Sequence, residues 1–345
     1  MTAEAAPPMA ARLKGARRGW RVRLAFVLLV LGFACLLSVT LGTRDVGWSA
    51  VMAGVMGDTE TMEAAVVAVR VPRTVLAVIA GAALGLAGAT MQGVTRNPLA
   101  DPGLLGVNAG AALAVVIGVA WAGLHGLHAF LWVAILGAGL AAAFVYAIGS
   151  LGRGGATPLK LALAGAATSI AASSFTVAIL LPRNDIAGGI RSWQVGGVGG
   201  ASFEGIAPAA PFLGVGLILC MMSARNLNLL ALGDEAATGL GGRVARARGM
   251  AALGAVLLCG ATTAVCGPIG FVGLVVPHLC RMLVGPDHRR LLPFSALAGA
   301  ILLTCADVAG RLVARPSELE VGIVTAFIGA PFFIWIVRNR RVADL

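Results

Sequence analysis

Long apolar runs alternate with short polar segments along nearly the whole chain. Six runs have about the length of one membrane crossing: residues 24–43, 74–95, 160–181, 205–224, 291–311 and 321–337. Residues 102–152 and 249–280 are longer, and at about 1.5 Å per helical residue each must cross a ~30 Å hydrocarbon core twice. The glycine and proline at 267–268 mark the break in the second of these. The pattern predicts an all-α fold with about ten transmembrane helices.

Composition and charge place these helices in a membrane and orient them. Hydrophobic residues make up 59% of the chain and charged residues 12%, which excludes an ordinary soluble domain. We predict a basic arm at 1–23, one transmembrane domain at 24–338 and a tail at 339–345. An even number of spans places both termini on one side. If that side is the cytoplasm, 19 of the 26 Lys and Arg residues lie there and 7 outside, as the positive-inside rule requires.

Short motifs suggest an internal repeat and argue against ligand chemistry. LAGATMQG at 86–93 resembles LCGATTAVCG at 258–267, in spans that run in opposite directions, and this predicts an inverted repeat. The net charge of +11 comes from arginines flanking apolar runs, so it indicates membrane ends and no nucleic acid. The six cysteines lack metal-ligand spacing and are interpreted as buried small hydrophobes. His278 is interpreted as a structural histidine, and no metal site is expected.

The chain carries few groups that could drive transport by themselves. A P-loop cannot be written, because neither lysine follows a glycine. Only one acid, Asp307, lies inside an apolar run, and Arg311 one turn later allows a simple i,i+4 pair. A proton- or ion-coupled carrier would need more such groups at mid-membrane, but it stays the alternative. An intramembrane enzyme would need a paired nucleophile and base, which are not found. The driving force is therefore expected from a partner.

Several motifs together resemble the signature of one family of permeases. They run in order through residues 70–73, 81–111, 230–241, 267–281, 287–293 and 318–336. They are similar to permease subunits of ABC importers for iron-siderophore complexes, haem and vitamin B12. The resemblance implies a multi-pass protein of the bacterial inner membrane with no cofactor of its own. It implies a second permease, two cytoplasmic ATPase subunits carrying ATP and Mg, and an extracytoplasmic substrate-binding protein. It chooses neither the cargo nor a homodimer over a heterodimer.

The resemblance also implies a coupling loop within residues 226–246. In the family this loop is the helix that fits a groove on the ATPase. Acidic residues suit the positive start of such a helix, and small apolar residues offer a contact surface. An ordinary capped loop helix is the alternative. The expected ATPase-coupling residues are Leu232, Gly233, Asp234, Glu235, Ala236, Leu240 and Gly241.

Three arginines match family positions that receive acidic residues of the binding protein. Arg70 and Arg73 are expected at the outer end of the second span and Arg311 near the outer end of the ninth. Outward guanidiniums would suit charge-steered docking, because they stay ionised and grip carboxylates bidentately. Anchoring at the membrane end is the alternative.

Two further regions correspond to the gate and the pathway of the family. The expected cytoplasmic gate is Asn97, Pro98, Leu99 and Asp101, together with the loop at 152–160. A plain hairpin turn is the alternative. The expected pathway lining is Thr168, Ser169 and Ser173, although hydroxyls also join packed helices. One departure is Glu320, where the family often has proline. The implied mechanism is alternating access, with transport into the cytoplasm.

Overall fold

The chain folds into a bundle of helices, and the computed structural model describes residues 9–103, 105–124, 126–151 and 157–339. A short 3₁₀ turn, Ala207–Ala209, joins two of the helices. The helices are α1 (Met9–Thr40), α2 (Trp48–Val55), α3 (Met62–Thr95), α4 (Val107–Ala122), α5 (Leu127–Gly149), α6 (Pro158–Leu180), α7 (Asn184–Val195), α8 (Phe203–Ile206), α9 (Ala210–Met222), α10 (Ala224–Leu230), α11 (Asp234–Gly239), α12 (Val244–Cys266), α13 (Val272–Val284), α14 (His288–Val313) and α15 (Val321–Asn339).

Ten apolar segments of these described residues account for the predicted spans. Seven are long enough to cross a membrane, in α1, α3, α5, α6, α8 to α9, α12 and α14. The three shorter ones are Val107–Ala122, Val272–Val284 and Val321–Trp335. The all-α prediction with about ten spans is confirmed. The predicted break after α12 also holds, because α12 ends at Cys266 and Gly267 follows with φ of 72°.

Helix α3 lies at the centre of the bundle. It packs against α14, α12, α13, α2 and α1. Of its most apolar 18-residue stretch, 78% is buried. The contact with α14 is close because a Cβ on Gly81 would collide with the carbonyl of Gly299. A Cβ on Gly85 would likewise collide with the carbonyl of Ser295. Small residues allow this approach, and close packing takes the place of hydrophobic driving force inside lipid.

Two helices begin earlier than the sequence predicted. We expected the second span to begin near residue 74, but α3 begins at Met62, where the Thr61 side chain accepts a hydrogen bond from the Ala64 amide at 3.2 Å. Pro72 therefore lies inside the helix. Helix α1 begins at Met9, so much of the predicted arm is helical. Residues 1–8 and 340–345 lie outside the described residues, as do 152–156 of the predicted second gate loop.

The segment between spans five and six contains a helix of 12 residues, α7. Trp193 near its end donates from Nε1 to the Ala264 carbonyl of α12 at 3.2 Å.

The two similar motifs, 86–93 and 258–267, lie in α3 and α12, which pack against each other. The inverted repeat itself stays a prediction.

Candidate functional site

Polar side chains concentrate at the two opposite ends of α3. We call the end with Arg70, Arg73 and Arg311 the arginine end. The coupling end carries α11 and the turn at 96–103, which connects α3 to α4. Antiparallel packing of α3 on α14 places the start of α14 at the coupling end and Arg311 at the arginine end.

A buried group of ion pairs joins α3 to α14 at the arginine end. Arg73 donates from Nη2 to Oδ1 of Asp307 at 2.8 Å, and its Nε also donates to this carboxylate. Arg311 lies 2.9 Å from the other oxygen, Oδ2. Asp307 is 0% exposed and Arg311 1%. Removing either charge would leave its partner uncompensated away from water.

A second carboxylate, Glu318, extends this group of charges toward the surface. Nη1 of Arg73 lies 2.6 Å from Oε2 of Glu318, whose side chain is 40% exposed. Glu318 lies in the short connection before α15. Glu320, two residues later, lies against Gly197. Burial raises the pKa of the Glu320 carboxyl.

Arg70 ties the end of α1 to α3. Its Nη1 donates to the carbonyls of Val39 and Thr40 at 3.2 and 2.8 Å, and its Nη2 to the carbonyl of Arg44 at 2.8 Å. Arg311 also donates to main-chain carbonyls at the end of α1. These bonds satisfy carbonyl groups that the last turn of a helix leaves without partners.

The expectation that three guanidiniums point outward is wrong. Arg70, Arg73 and Arg311 are only 5%, 7% and 1% exposed, because Asp307, Glu318 and helix-end carbonyls bind them inside the protein. The i,i+4 pair that the sequence offered as the alternative for Arg311 is present. A role in docking stays a prediction.

Apart from the pair of Arg311 with Asp307, sequence reasoning missed the internal partners of these arginines. Glu318 and the carbonyls at the end of α1 come from segments distant in sequence. Ser38 shows the same pattern, because its hydroxyl bonds Thr74 at 2.7 Å and accepts from Arg311 at 2.9 Å. The available signal was an acid directly before the last span, close in sequence to Arg311.

The predicted gate residues form a tightly hydrogen-bonded turn at the coupling end. The Asn97 side chain accepts from the Leu99 amide at 3.0 Å. The Asp101 side chain accepts from the Gly103 amide at 2.7 Å. Asp101 is 6% exposed, while Asn97, Pro98 and Leu99 are half-buried. The turn therefore runs from a half-exposed start into the bundle.

The predicted coupling residues lie on and beside the exposed helix α11. Leu232 and Leu240 are 62% and 65% exposed, and Glu235 and Ala236 are exposed as well. Gly233 precedes the helix with φ of 103° and Gly241 follows it with φ of 80°, which glycine adopts without steric cost. The short helix is therefore delimited by its own sequence and presents an apolar surface to the outside.

Asp234 has a different environment from Glu235. Its Oδ1 lies 3.2 Å from Nη2 of Arg96. Arg248 of α12 donates to both of its oxygens, at 2.9 and 3.0 Å. Sequence reasoning placed Asp234 with Glu235 as one acidic pair and missed both arginine partners.

The predicted pathway hydroxyls of α6 differ in their burial. Thr168 donates back to the Ala164 carbonyl at 2.7 Å, and its methyl group lies near Gly106 at the start of α4. Ser169 is half-buried and Ser173 is exposed. Only 22% of the most apolar 18-residue stretch of α6 is buried, so Ser173 lies on a largely uncovered surface.

Fold and polar ends together define a membrane transport subunit. A solved chain of a metal-chelate type ABC transporter, in an inward-facing conformation, has the same fold with a TM-score of 0.79. The two sequences are 27% identical, and the match covers 93% of this chain and 100% of that one. The protein is thus a permease subunit of an ABC transporter and not an enzyme.

Comparison with known sequences gives the family. The sequence pattern of the FecCD transport family matches residues 28–339, and the chain belongs to this family. It is 43% identical over 316 residues to the ferric enterobactin transport system permease protein FepD of Escherichia coli (strain K12), covering 91% of this chain and 94% of FepD. It is 38% identical over 323 residues to the hemin transport system permease protein HmuU of Yersinia pestis, covering 91% and 96%. Such a permease works with an ATPase and a substrate-binding protein.

Proposed function

We propose that this chain is the membrane permease of an ATP-driven importer that carries an iron chelate into the cytoplasm. An iron-siderophore complex is the first choice of cargo, and haem or a corrinoid the next. The proposal places the protein in the bacterial inner membrane with both termini in the cytoplasm. Two permeases, two ATPase subunits that bind ATP and Mg, and one binding protein would form the working assembly.

The single observation that carries this proposal is the exposed surface of α11. Leu232 and Leu240 place large apolar side chains in water at the coupling end, next to the exposed carboxylate of Glu235. An isolated chain gains nothing from exposing large apolar side chains on both flanks of a short helix. A protein partner that covers them would bury apolar area and gain about 25 cal/mol per Å². The ATPase is the partner that a permease of this family requires at this surface.

The gate and the pathway follow from the same assembly. The turn at Asn97 to Asp101 would open and close the cytoplasmic end as α11 moves. The uncovered face of α6, with Ser173, would meet the second permease or the cargo. The arginine end would receive the binding protein, whose carboxylates must compete with Glu318 for Arg73. The cargo is selected largely by the binding protein.

An ion-coupled carrier is less well supported, because its natural coupling acid is already engaged. Asp307 is paired with two guanidiniums. Protonation of Asp307 would leave Arg311 without its paired carboxylate and Arg73 with Glu318 alone. A residue that must gain and lose a proton in each cycle would pay that cost every time.

Reconstitution tests the proposed function directly. The permease, its ATPase and its binding protein are placed in liposomes, and uptake of a ⁵⁵Fe-labelled siderophore complex is measured. Uptake that needs enclosed ATP and the ATPase supports the proposal. Uptake by the permease alone under a proton gradient would support the carrier instead.

Variants of the α11 surface test where the ATPase binds. Leu232→Ser and Leu240→Ser should reduce co-purification of the ATPase, because each removes exposed apolar area from the contact. Leu151→Ser is the matched control, since Leu151 is also 69% exposed but lies at the end of α5. Equal co-purification of all three variants would contradict this assignment of α11.

A further inference from the structure

One carboxylate connects α11 to two other helices at the coupling end. Asp234 is the first residue of α11, and α11 packs against α10 and α12. Its pair with Arg248 of α12 adds to a contact that already exists. Its pair with Arg96 at 3.2 Å reaches the end of α3 instead. The Arg96 pair is therefore a connection between the coupling helix and the central helix of the bundle.

Arg96 lies where α3 ends and the turn at 96–103, which we call the gate turn, begins. It is the C-cap of α3 with φ of 51° and ψ of 35°, a left-handed conformation that is uncommon outside glycine. Its amide and the amide of Asn97 both donate to the Gln92 carbonyl. The side chain of Arg96 thus points to α11 from a fixed main chain.

Several hydrogen bonds connect the residues of the gate turn to one another. The amide of Ala100 donates to the Asn97 carbonyl at 3.1 Å, and the amide of Leu105 to the Asp101 carbonyl at 3.1 Å. With the two side-chain bonds of Asn97 and Asp101, these link the turn from α3 to the start of α4. A displacement of Arg96 would therefore be carried along the turn.

Space for such a displacement exists beside the turn. A cavity of about 430 Å³ lies between the end of α3 and α13, lined by Gln92, Arg96, Pro98, Arg281 and His288 among others. Protein interiors are otherwise close-packed. Arg96 and Pro98 therefore border a volume that no side chain fills.

We propose that the Arg96 to Asp234 ion pair transmits the movement of α11 to the gate turn. Asp234 and Arg96 are positioning residues in this proposal, and Glu235 is the carboxylate that meets the ATPase. The two neighbouring acids, Asp234 and Glu235, thus have different tasks. This inference rests on the proposed function of α11 as the ATPase contact.

Three charge-neutralising variants test the link in the complete transporter. Arg96→Gln and Asp234→Asn break the pair with α3, while Arg248→Gln breaks only the pair with α12 and serves as the matched control. Each is assembled with the ATPase and binding protein in liposomes. The measurements are ATPase co-purification, ATP hydrolysis, and ⁵⁵Fe-siderophore molecules imported per ATP. Thermal melting of each permease verifies folding.

The expected result is uncoupling without disassembly. Arg96→Gln and Asp234→Asn retain the ATPase and hydrolyse ATP, but import per ATP falls about fivefold, the lower end of typical coupling factors. The double variant is no worse than either single variant, because both remove the same interaction. Arg96→Lys recovers part of the ratio by keeping the charge. Arg248→Gln keeps the ratio near that of the wild type.

Two outcomes would overturn the link. One is a wild-type import ratio in Arg96→Gln, and the other is an equal loss in Arg248→Gln, which would make Asp234 a local brace of α11. Failure of the wild-type assembly to import any iron chelate is a separate result, because it overturns the proposed function of the whole protein.

Discussion

Asp307 lies between the guanidiniums of Arg73 and Arg311 at a site that water does not reach. Arg73 donates to both of its oxygens, and Arg311 lies 2.9 Å from one of them, so α3, α14 and the end of α1 meet around one carboxylate. Taking charges out of water is costly, and only good geometry with further hydrogen bonds offsets that cost. The carbonyls at the end of α1 supply those bonds here. The arrangement therefore depends on every member being present.

Replacing Asp307 by Asn should strongly destabilise the protein. The change keeps the shape but leaves the buried Arg311 without its paired carboxylate and Arg73 with Glu318 alone, and breaking a buried pair in this way costs about 3–5 kcal/mol. Asp45→Asn is the control, because Asp45 pairs with Arg315 through a side chain that is 92% exposed and such pairs contribute at most about 1 kcal/mol. Thermal melting in detergent measures both. Similar melting temperatures for the two variants would show that the buried pairs contribute little.

Removing the charge of Glu318 should strengthen docking of the binding protein. Glu318 occupies Nη1 of Arg73, so Glu318→Gln frees a donor for an incoming carboxylate and makes the surface more positive. We expect affinity to rise about fivefold at low salt, which corresponds to ~1 kcal/mol for a partly exposed pair, and the gain to shrink as salt screens it. Titration of the binding protein onto permease in nanodiscs measures this affinity.

Glu204→Gln serves as the control for this docking experiment. Glu204 is an exposed acid at the start of the sixth span and has no part in the arginine group. Its loss changes the net charge by the same amount. Equal gains in both variants would mean that general charge, and not access to Arg73, controls docking.

At the residue scale, the sequence predicted identities better than environments. Motifs singled out Arg73, Arg311 and Asp234 as residues of interest. Their burial and partners depend on contacts across long sequence separations, such as Arg73 with Glu318. A pattern along the chain cannot contain those contacts, because spacing reveals neighbours on one helix only. The i,i+4 pair of Asp307 and Arg311 was predictable for that reason.

Among the elements, α3 and α14 form the contact that positions both functional ends. Arg73 lies near one end of α3 and Arg96 at the other, so the register of α3 on α14 sets both. Gly81 and Gly85 fix that register, since neither position has room for a Cβ. A shift of this contact would move the ion pairs and the gate turn together.

Gly81→Ala and Gly85→Ala should each destabilise the bundle. The added methyl groups would meet main-chain carbonyls of α14, and overpacking of this kind costs about 1–3 kcal/mol. Gly214→Ala in α9 is the control, because a Cβ there meets nothing within 4 Å and alanine favours helix by about 0.5–1 kcal/mol. Melting temperatures should fall for the first two and stay or rise for the third. Unchanged melting of Gly81→Ala would contradict the close packing.

Apolar runs predicted the existence of the helices well and their starts less well. The ends that failed are those where a polar segment continues a helix outside the membrane. Helix α3 starts at a Thr61 cap and not at the first uncharged residue. Helix α1 extends back to Met9. Within this extension, Trp20 packs on Phe294 with ring centroids 4.7 Å apart. Hydrophobicity marks where lipid begins, whereas capping and packing decide where a helix begins.

For the molecule as a whole, burial is uneven between the spans. The most apolar 18-residue stretch of α3 is 78% buried. The corresponding stretches of α6 and of α8 to α9 are only 22% buried, and that of α1 is 11% buried. Lipid can cover such faces, and so can a second permease. In the proposed assembly, the second permease would cover part of this surface. The single chain would then form one half of a conduit.

The orientation of the chain gives the last prediction. Charge counts predict that α11 lies in the cytoplasm and the connection before α15 outside. In a protein without native cysteines, Thr238→Cys should react with a membrane-impermeant maleimide only in inverted vesicles. Ser317→Cys should react in intact spheroplasts, because both positions are exposed but lie at opposite ends of the bundle. The reverse labelling pattern would place α11 outside the cell, where no ATPase could reach it, and would remove the basis for ATP-driven import through this helix.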